Sequence, residues 1–121
     1  MIIVFVLLNT NAWLRLSRTE RHSIADTLLS KTIDDQDVTL RMFDSEAFST
    51  QCTDIAMFQA KDMHSFYFAM ERLRDSVLIT EPYFEIVEII PTIEDGFKVF
   101  EQNRKHWSMT VFLNYFLWIS L

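Results

Sequence analysis

The chain opens on an unbroken apolar run, Ile2 to Leu8, closed by Asn9, Thr10 and Asn11. A run this short, rich in β-branched and aromatic residues, predicts a central strand covered on both faces, with turn chemistry ending it. In "LSRTERHSIADTLLSK" the pattern changes. Ser17 with Glu20 three positions on is a capping box, and Ile24 and Leu28 fall four apart. Together they predict a helix of roughly three to four turns that ends near Thr32. The acidic "DDQD" behind it reads as a loop.

From Val38 the period drops to two. Val38, Leu40 and Met42 alternate with Thr39, Arg41 and Phe43, and beyond "DSEAFSTQC" Ile55 and Met57 alternate with Asp54, Ala56 and Phe58. This predicts a two-stranded hairpin. Asp62 is placed to cap a second helix, "MHSFYFAMERLRDSVL", with Met63, Phe66, Met70, Leu73 and Val77 along one face and Glu71, Arg72 and Asp75 opposite. A last strand, "YFEIVEII", is expected to stop at Pro91, with a short amphipathic segment, "IEDGFKVFEQN", after it.

The order strand, helix, strand, strand, helix, strand is the split β-α-β pattern of the ferredoxin-like fold: an antiparallel four-stranded sheet with both helices on one face. Strands this apolar cannot leave the other sheet face in water. A homodimer formed through that face is the simplest cover.

Composition sharpens this picture. The chain has 121 residues, half of them hydrophobic and 14% aromatic, enough for one domain with its own core. A net charge of -6 with only four lysines argues against a nucleic-acid partner. Cys52 stands alone, so no internal disulfide forms, and a reducing, cytoplasmic setting is expected. The apolar start has no basic region before it and does not read as a signal peptide.

Two stretches, "VFVLLNTNAWLRLSRTER" and "YFEIVEIIPTIEDGFKVFE", resemble the darcynin family of small bacterial proteins. The resemblance spans residues 1–103. It implies a relation to the dimeric α/β-barrel group, in which two ferredoxin-like protomers press their sheets together and often enclose a small-molecule cavity. It implies no reaction, because darcynins have no assigned activity. Trp13, Leu14, Leu16, Ser17 and Arg21 carry the resemblance at the strand-to-helix junction, where capping and packing account for them.

Residues 104–121 form a separate extension. Residues 1–103 hold nine basic and seventeen acidic residues, and the extension adds two basic ones and no acid. Its stretch from Trp107 to Leu121 is fifteen residues long and contains four Ser, Thr or Asn. That falls short of the roughly twenty apolar residues of a membrane span, so a membrane anchor is not expected. It is apolar nearly all round, as a segment buried against a dimer would be, and a divergent extension without a role reads the same way.

Candidate chemistry is sparse. The lone Gly96 excludes glycine-rich phosphate loops, so no nucleotide cofactor is expected. The three histidines lack metal-ligand spacing, and no metal site is expected. For a haem, His22 and His64 are the only ligands in the body of the chain, without a supporting motif. Cys52 has no basic neighbour and reads as a passive thiol.

Alternating strand positions are more informative. Phe43, Phe58, Phe84 and Ile86 are expected to line the inter-sheet cavity of such a dimeric barrel, where a small apolar or aromatic molecule would bind. Asp54 or Glu88 on an apolar face would have a raised pKa suited to a general base. Arg41 is placed to hold an anionic group and Tyr67 to donate a hydrogen bond. That set outlines an alternative, a cofactor-independent oxygenase or isomerase. Arg41 and Asp54 also fit a simple cross-strand ion pair. A third alternative is a partner-binding module presenting Asp34, Asp35 and Asp37 to a basic protein.

Overall fold

The computed structural model describes residues 1–33 and 37–106. Strand β1 (Ile2–Thr10) leads through a short 3-10 turn (Ala12–Arg15) into helix α1 (Arg18–Thr32). The hairpin β2 (Val38–Asp44) and β3 (Asp54–Ala60) follows, then α2 (Met63–Arg74), a single-turn helix α3 (Val77–Thr80), strand β4 (Phe84–Thr92) and helix α4 (Gly96–His106). The strands form one antiparallel sheet in the order β2-β3-β1-β4, the ferredoxin-like arrangement, with β1 and β3 central.

Local chemistry sets the boundaries. The Ser17 hydroxyl accepts from the Glu20 amide at 3.1 Å, and Asp62 accepts from the Ser65 amide at 2.8 Å, so each helix start has an orphan N–H satisfied. That amide lowers the Asp62 pKa below its usual range.

The second helix is shorter than its apolar spacing predicts. It stops at Arg74, where the Ser76 amide and hydroxyl both turn back to the Leu73 carbonyl, and Val77 starts α3 instead. Met63, expected on the buried face, is 52% exposed, while Ser65 and Ala69 take up core positions. Strand β4 also differs, running through Pro91 to Thr92. Because β4 is an edge strand, a residue without an N–H is tolerated there.

The core lies between the sheet and the helices. Val4, Val6, Leu8, Ala56, Phe58 and Ala60 from the central strands meet Phe66, Ala69, Met70 and Leu73 of α2, with Ile24 and Leu28 of α1 packed beside them. Side chains alternate along a strand, so the opposite set looks away from the helices. Register aligns that set in rows across the sheet. One row is Arg41, Met57, Phe5 and Ile90; the next is Phe43, Ile55, Leu7 and Glu88. No helix of the described residues is long and apolar enough to cross a membrane. The extension from Trp107 onward lies outside the described residues, and α4 continues through residue 106, past the compositional boundary at 103.

Candidate functional site

Core packing leaves a gap at the end of the sheet where β1 runs into the 3-10 turn. Leu8, Leu40, Met42, Ala56, Phe58 and Phe84 form its sheet wall; Ala25 and Leu29 of α1, Leu73 of α2, and Leu78 and Ile79 of α3 form its helix wall. Trp13 stands beside them, its ring 5.7 Å from Tyr83 and 5.2 Å from Phe84. The space, partly open to solvent beside Met42 and Asp44, is about 220 Å³. Apolar cavities of about 150 Å³ admit benzene, so this one has room for a single ring with a short substituent.

Among the described residues, two acids, Asp44 and Asp54, are the polar members of the lining. They sit opposite each other in the β2–β3 register. The Thr53 hydroxyl lies 2.8 Å from Asp54 Oδ2 and 3.3 Å from the Leu8 carbonyl. It has one proton to give, and the shorter bond, to the carboxylate, takes it.

Burial raises the Asp54 pKa above the usual 3.8; the Thr53 bond opposes this, and the Asp44 hydrogen bond and the charges of Asp44 and Glu46 add to it. The folded state therefore holds a proton at Asp54 more tightly than the unfolded chain does. The associated stability is complete below pH 3.8 and is lost as the pH rises through the folded-state pKa. Asp54→Asn, which keeps an acceptor for Thr53, is expected to raise the melting temperature by a few degrees at neutral pH and to leave it nearly unchanged in strong acid. Paired thermal melts check this, and equal shifts at both pH values would contradict it.

The residues expected to act together are divided between three surfaces. Asp54 lines the cavity under the helices. Arg41 and Glu88 lie on the open sheet face, on the two edge strands, so Arg41 and Asp54 do not form a cross-strand ion pair. Instead the Arg41 guanidinium lies 5.3 Å from the Phe43 ring centroid. Strict alternation would project Glu88 with both Ile86 and Ile90. A bulge opposite Leu7 and Leu8 breaks that alternation and leaves Glu88 with Ile90 alone. Tyr67 is 58% exposed on α2.

Of the four residues expected in an inter-sheet cavity, Phe58 and Phe84 line this different cavity, on the helix side of the sheet. Ile86 borders a neighbouring cleft with Arg74 and Pro82, and Phe43 lies on the open sheet face. Cys52 is buried in the hairpin loop with Ser45 Oγ 3.4 Å from its sulfur, and among the described residues no group of His, Cys, Asp and Glu is arranged to hold a metal. Asp34 and Asp35 lie outside the described residues, and Asp37 is exposed.

A feature that sequence reasoning assigned to packing alone lies behind the cavity. Trp13 and Ala25 are shared with a second, more open cleft whose other walls are Arg18, Arg21 and His22. The signal was present in the spacing: residues 18, 21, 22 and 25 fall on one helical stripe.

The fold is shared with two solved structures. "Crystal structure of Putative Chlorite dismutase TA0507" matches with a TM-score of 0.63 at 14% identity, covering 75% of this chain and 42% of that one. A structure titled as the functional identification of a novel heme-binding protein from Thermus thermophilus matches with a TM-score of 0.65 at 14% identity, covering 75% and 38%. The chain thus spans less than half of either protein, and at this identity the likeness is one of fold.

Sequence relatives agree on another level. Darcynin of Chromobacterium violaceum is 52% identical over 65 residues, which is 54% of this chain and 82% of the relative. Darcynin 1 of Acinetobacter baumannii is 50% identical over 64 residues, or 53% and 71%. A homologue in Streptomyces avermitilis is 28% identical over 99 residues, or 79% and 81%. The family model described as "Darcynin, domain of unknown function" matches residues 1–106, and the chain belongs to the darcynin family.

Proposed function

We propose that the protein binds a small apolar or aromatic molecule in the cavity between the sheet and α1. The observation that carries this is the unfilled space of about 220 Å³ in an otherwise packed core, walled by Trp13, Phe58, Phe84 and aliphatic side chains. Close-packed interiors rarely keep such a gap. A ring buried there makes contacts that the empty cavity forfeits.

One structural neighbour is titled a heme-binding protein. The residues here do not fit that group: the space suits one ring and not a porphyrin, and no histidine or cysteine among the described residues lines it. His22 faces the second cleft, and His64 is exposed. The proposal therefore includes no haem.

A ligand of about seven to nine heavy atoms is expected to bind with a Kd of about 0.1–1 mM. The test is a thermal-shift and ligand-observed NMR titration of the full chain with toluene, indole and benzyl alcohol. At least one is expected to stabilise the protein. Ala25→Phe, which places a ring in the cavity from α1, is expected to abolish that binding without lowering the melting temperature. Binding that survives Ala25→Phe, or no binding by any probe, would overturn the proposal.

The open sheet face supports a second reading, homodimerisation through the sheet. Its central positions, Phe5, Leu7, Ile55 and Met57, are apolar, and its edges carry opposite charges, Arg41 on β2 and Glu85 and Glu88 on β4. A second copy rotated about an axis along the strands lays one charged edge over the other. The lone free thiol of Cys52 fits a cytoplasmic setting for this dimer.

A further inference from the structure

The second cleft continues the cavity. Arg18, Arg21, His22 and Ala25 lie on one stripe of α1, and the same stripe carries Leu29 into the apolar space. Trp13 and Ala25 border both. A molecule whose body fills the cavity therefore has its head at the basic residues of the first two turns of α1.

Those residues have spare capacity to bind. Arg21 Nε is buried and, among the described residues, has no hydrogen-bond partner, so that side of the guanidinium is not tied into the fold. Buried donors are nearly always satisfied, and one that is not calls for a missing acceptor. Arg18 stands one helical turn before it and His22 next to it, at the end of the helix where the backbone dipole favours negative charge. On a chain of net charge -6, a cleft walled by two arginines and a histidine is a local reversal of sign.

We propose that Arg21, with Arg18 and His22, forms an anion subsite joined to the apolar cavity, so that the ligand is a small aromatic or aliphatic carboxylic acid. This rests on the cavity being a binding site. The acid's orientation is fixed at both ends. Asp44 and Asp54 line the sheet side of the cavity and repel a carboxylate, while the α1 side offers the Arg21 guanidinium, whose paired donors match its two oxygens.

The test compares three probes of one shape on the full chain: benzoate, benzyl alcohol and benzylamine. Benzoate is expected to bind at least about tenfold more tightly than benzyl alcohol, the effect of one charge-assisted hydrogen bond. Arg21→Met, which keeps the aliphatic stem, is expected to erase that preference while benzyl alcohol still binds as before. Arg21→Lys is expected to restore part of it. Arg18→Met, at an exposed position, serves as a second variant and is expected to weaken benzoate alone.

Equal affinity for benzoate and benzyl alcohol would overturn the anion subsite and leave the cavity standing. A preference for benzylamine would move the head group to the acid pair and overturn it as well. Failure of all three probes to bind would remove the cavity reading and this one with it.

Discussion

Phe58→Ala is expected to cost about 3–5 kcal/mol of folding stability, the usual range for a buried aromatic cut to a methyl. Phe58 is 1% exposed, packs edge-on to Phe66 with ring centroids 5.6 Å apart, and sits between Val4 and Leu40 on the helix-facing side of the two strands beside it. It is also a wall of the cavity. Removing it merges new empty space with a gap that already exists, so surrounding side chains have less to collapse against and the loss should fall at the upper end. Domains of this size have about 5–15 kcal/mol in total, so the variant should be marginally folded. Urea denaturation followed by tryptophan fluorescence measures it, with a lower midpoint and an unchanged slope expected. A loss below about 1 kcal/mol would mean that the site relaxes around the deletion and that the cavity walls are soft.

The elements were legible because two periods write themselves plainly on this chain. The hairpin alternates strictly, Asp62 and Ser17 mark helix starts with side chains that bond the backbone, and β1 is too short and too β-branched for anything but a strand. Misreadings cluster where a local bond overrides a period. Val77 keeps the helical spacing of α2, yet Ser76 turns the chain at Leu73, and spacing alone does not show that. Pro91 stops strands in general but not an edge strand, and edge status depends on the whole sheet.

The candidate site was less legible because β1 is apolar on both sides. Val4, Val6 and Leu8 point to the helices, and Ile3, Phe5 and Leu7 away from them, with no polar residue to tell the faces apart. Without that choice, Phe43 and Phe58 appear as equals although they lie on opposite sides of the sheet. Glu88 parts from Ile86 for a different reason: the bulge after Ile86 inserts Val87 and moves every later residue to the other face. Arg21 was visible at the strand-to-helix junction. Its place as a cleft wall depends on where Trp13 packs, which is a tertiary fact.

Met57→Glu is expected to convert the proposed homodimer to a monomer, raising the dissociation constant by at least about a hundredfold, because it puts charge at the centre of the sheet face. Met57 lies on central strand β3 of the open face, with Phe5 beside it on β1 and Arg41 on β2. In a two-fold packing of sheet on sheet each copy supplies one such residue, so the substitution buries two carboxylates, and the cross-strand Arg41 of each copy offsets only part of their desolvation cost. Because Met57 is only partly buried within one protomer, the isolated fold should keep its melting behaviour and the loss should appear in assembly alone. The edges offer a finer measurement. Arg41→Glu should weaken the dimer, and Arg41→Glu with Glu88→Arg should recover much of that loss if Arg41 faces Glu88 of the partner subunit across the interface. Native mass spectrometry and sedimentation velocity read both effects. A wild-type chain that stays monomeric at high micromolar concentration would end the dimer reading, and a dimer indifferent to Met57→Glu would place the contact elsewhere, with the exposed Phe97 and Phe100 of α4 as the next apolar surface to probe.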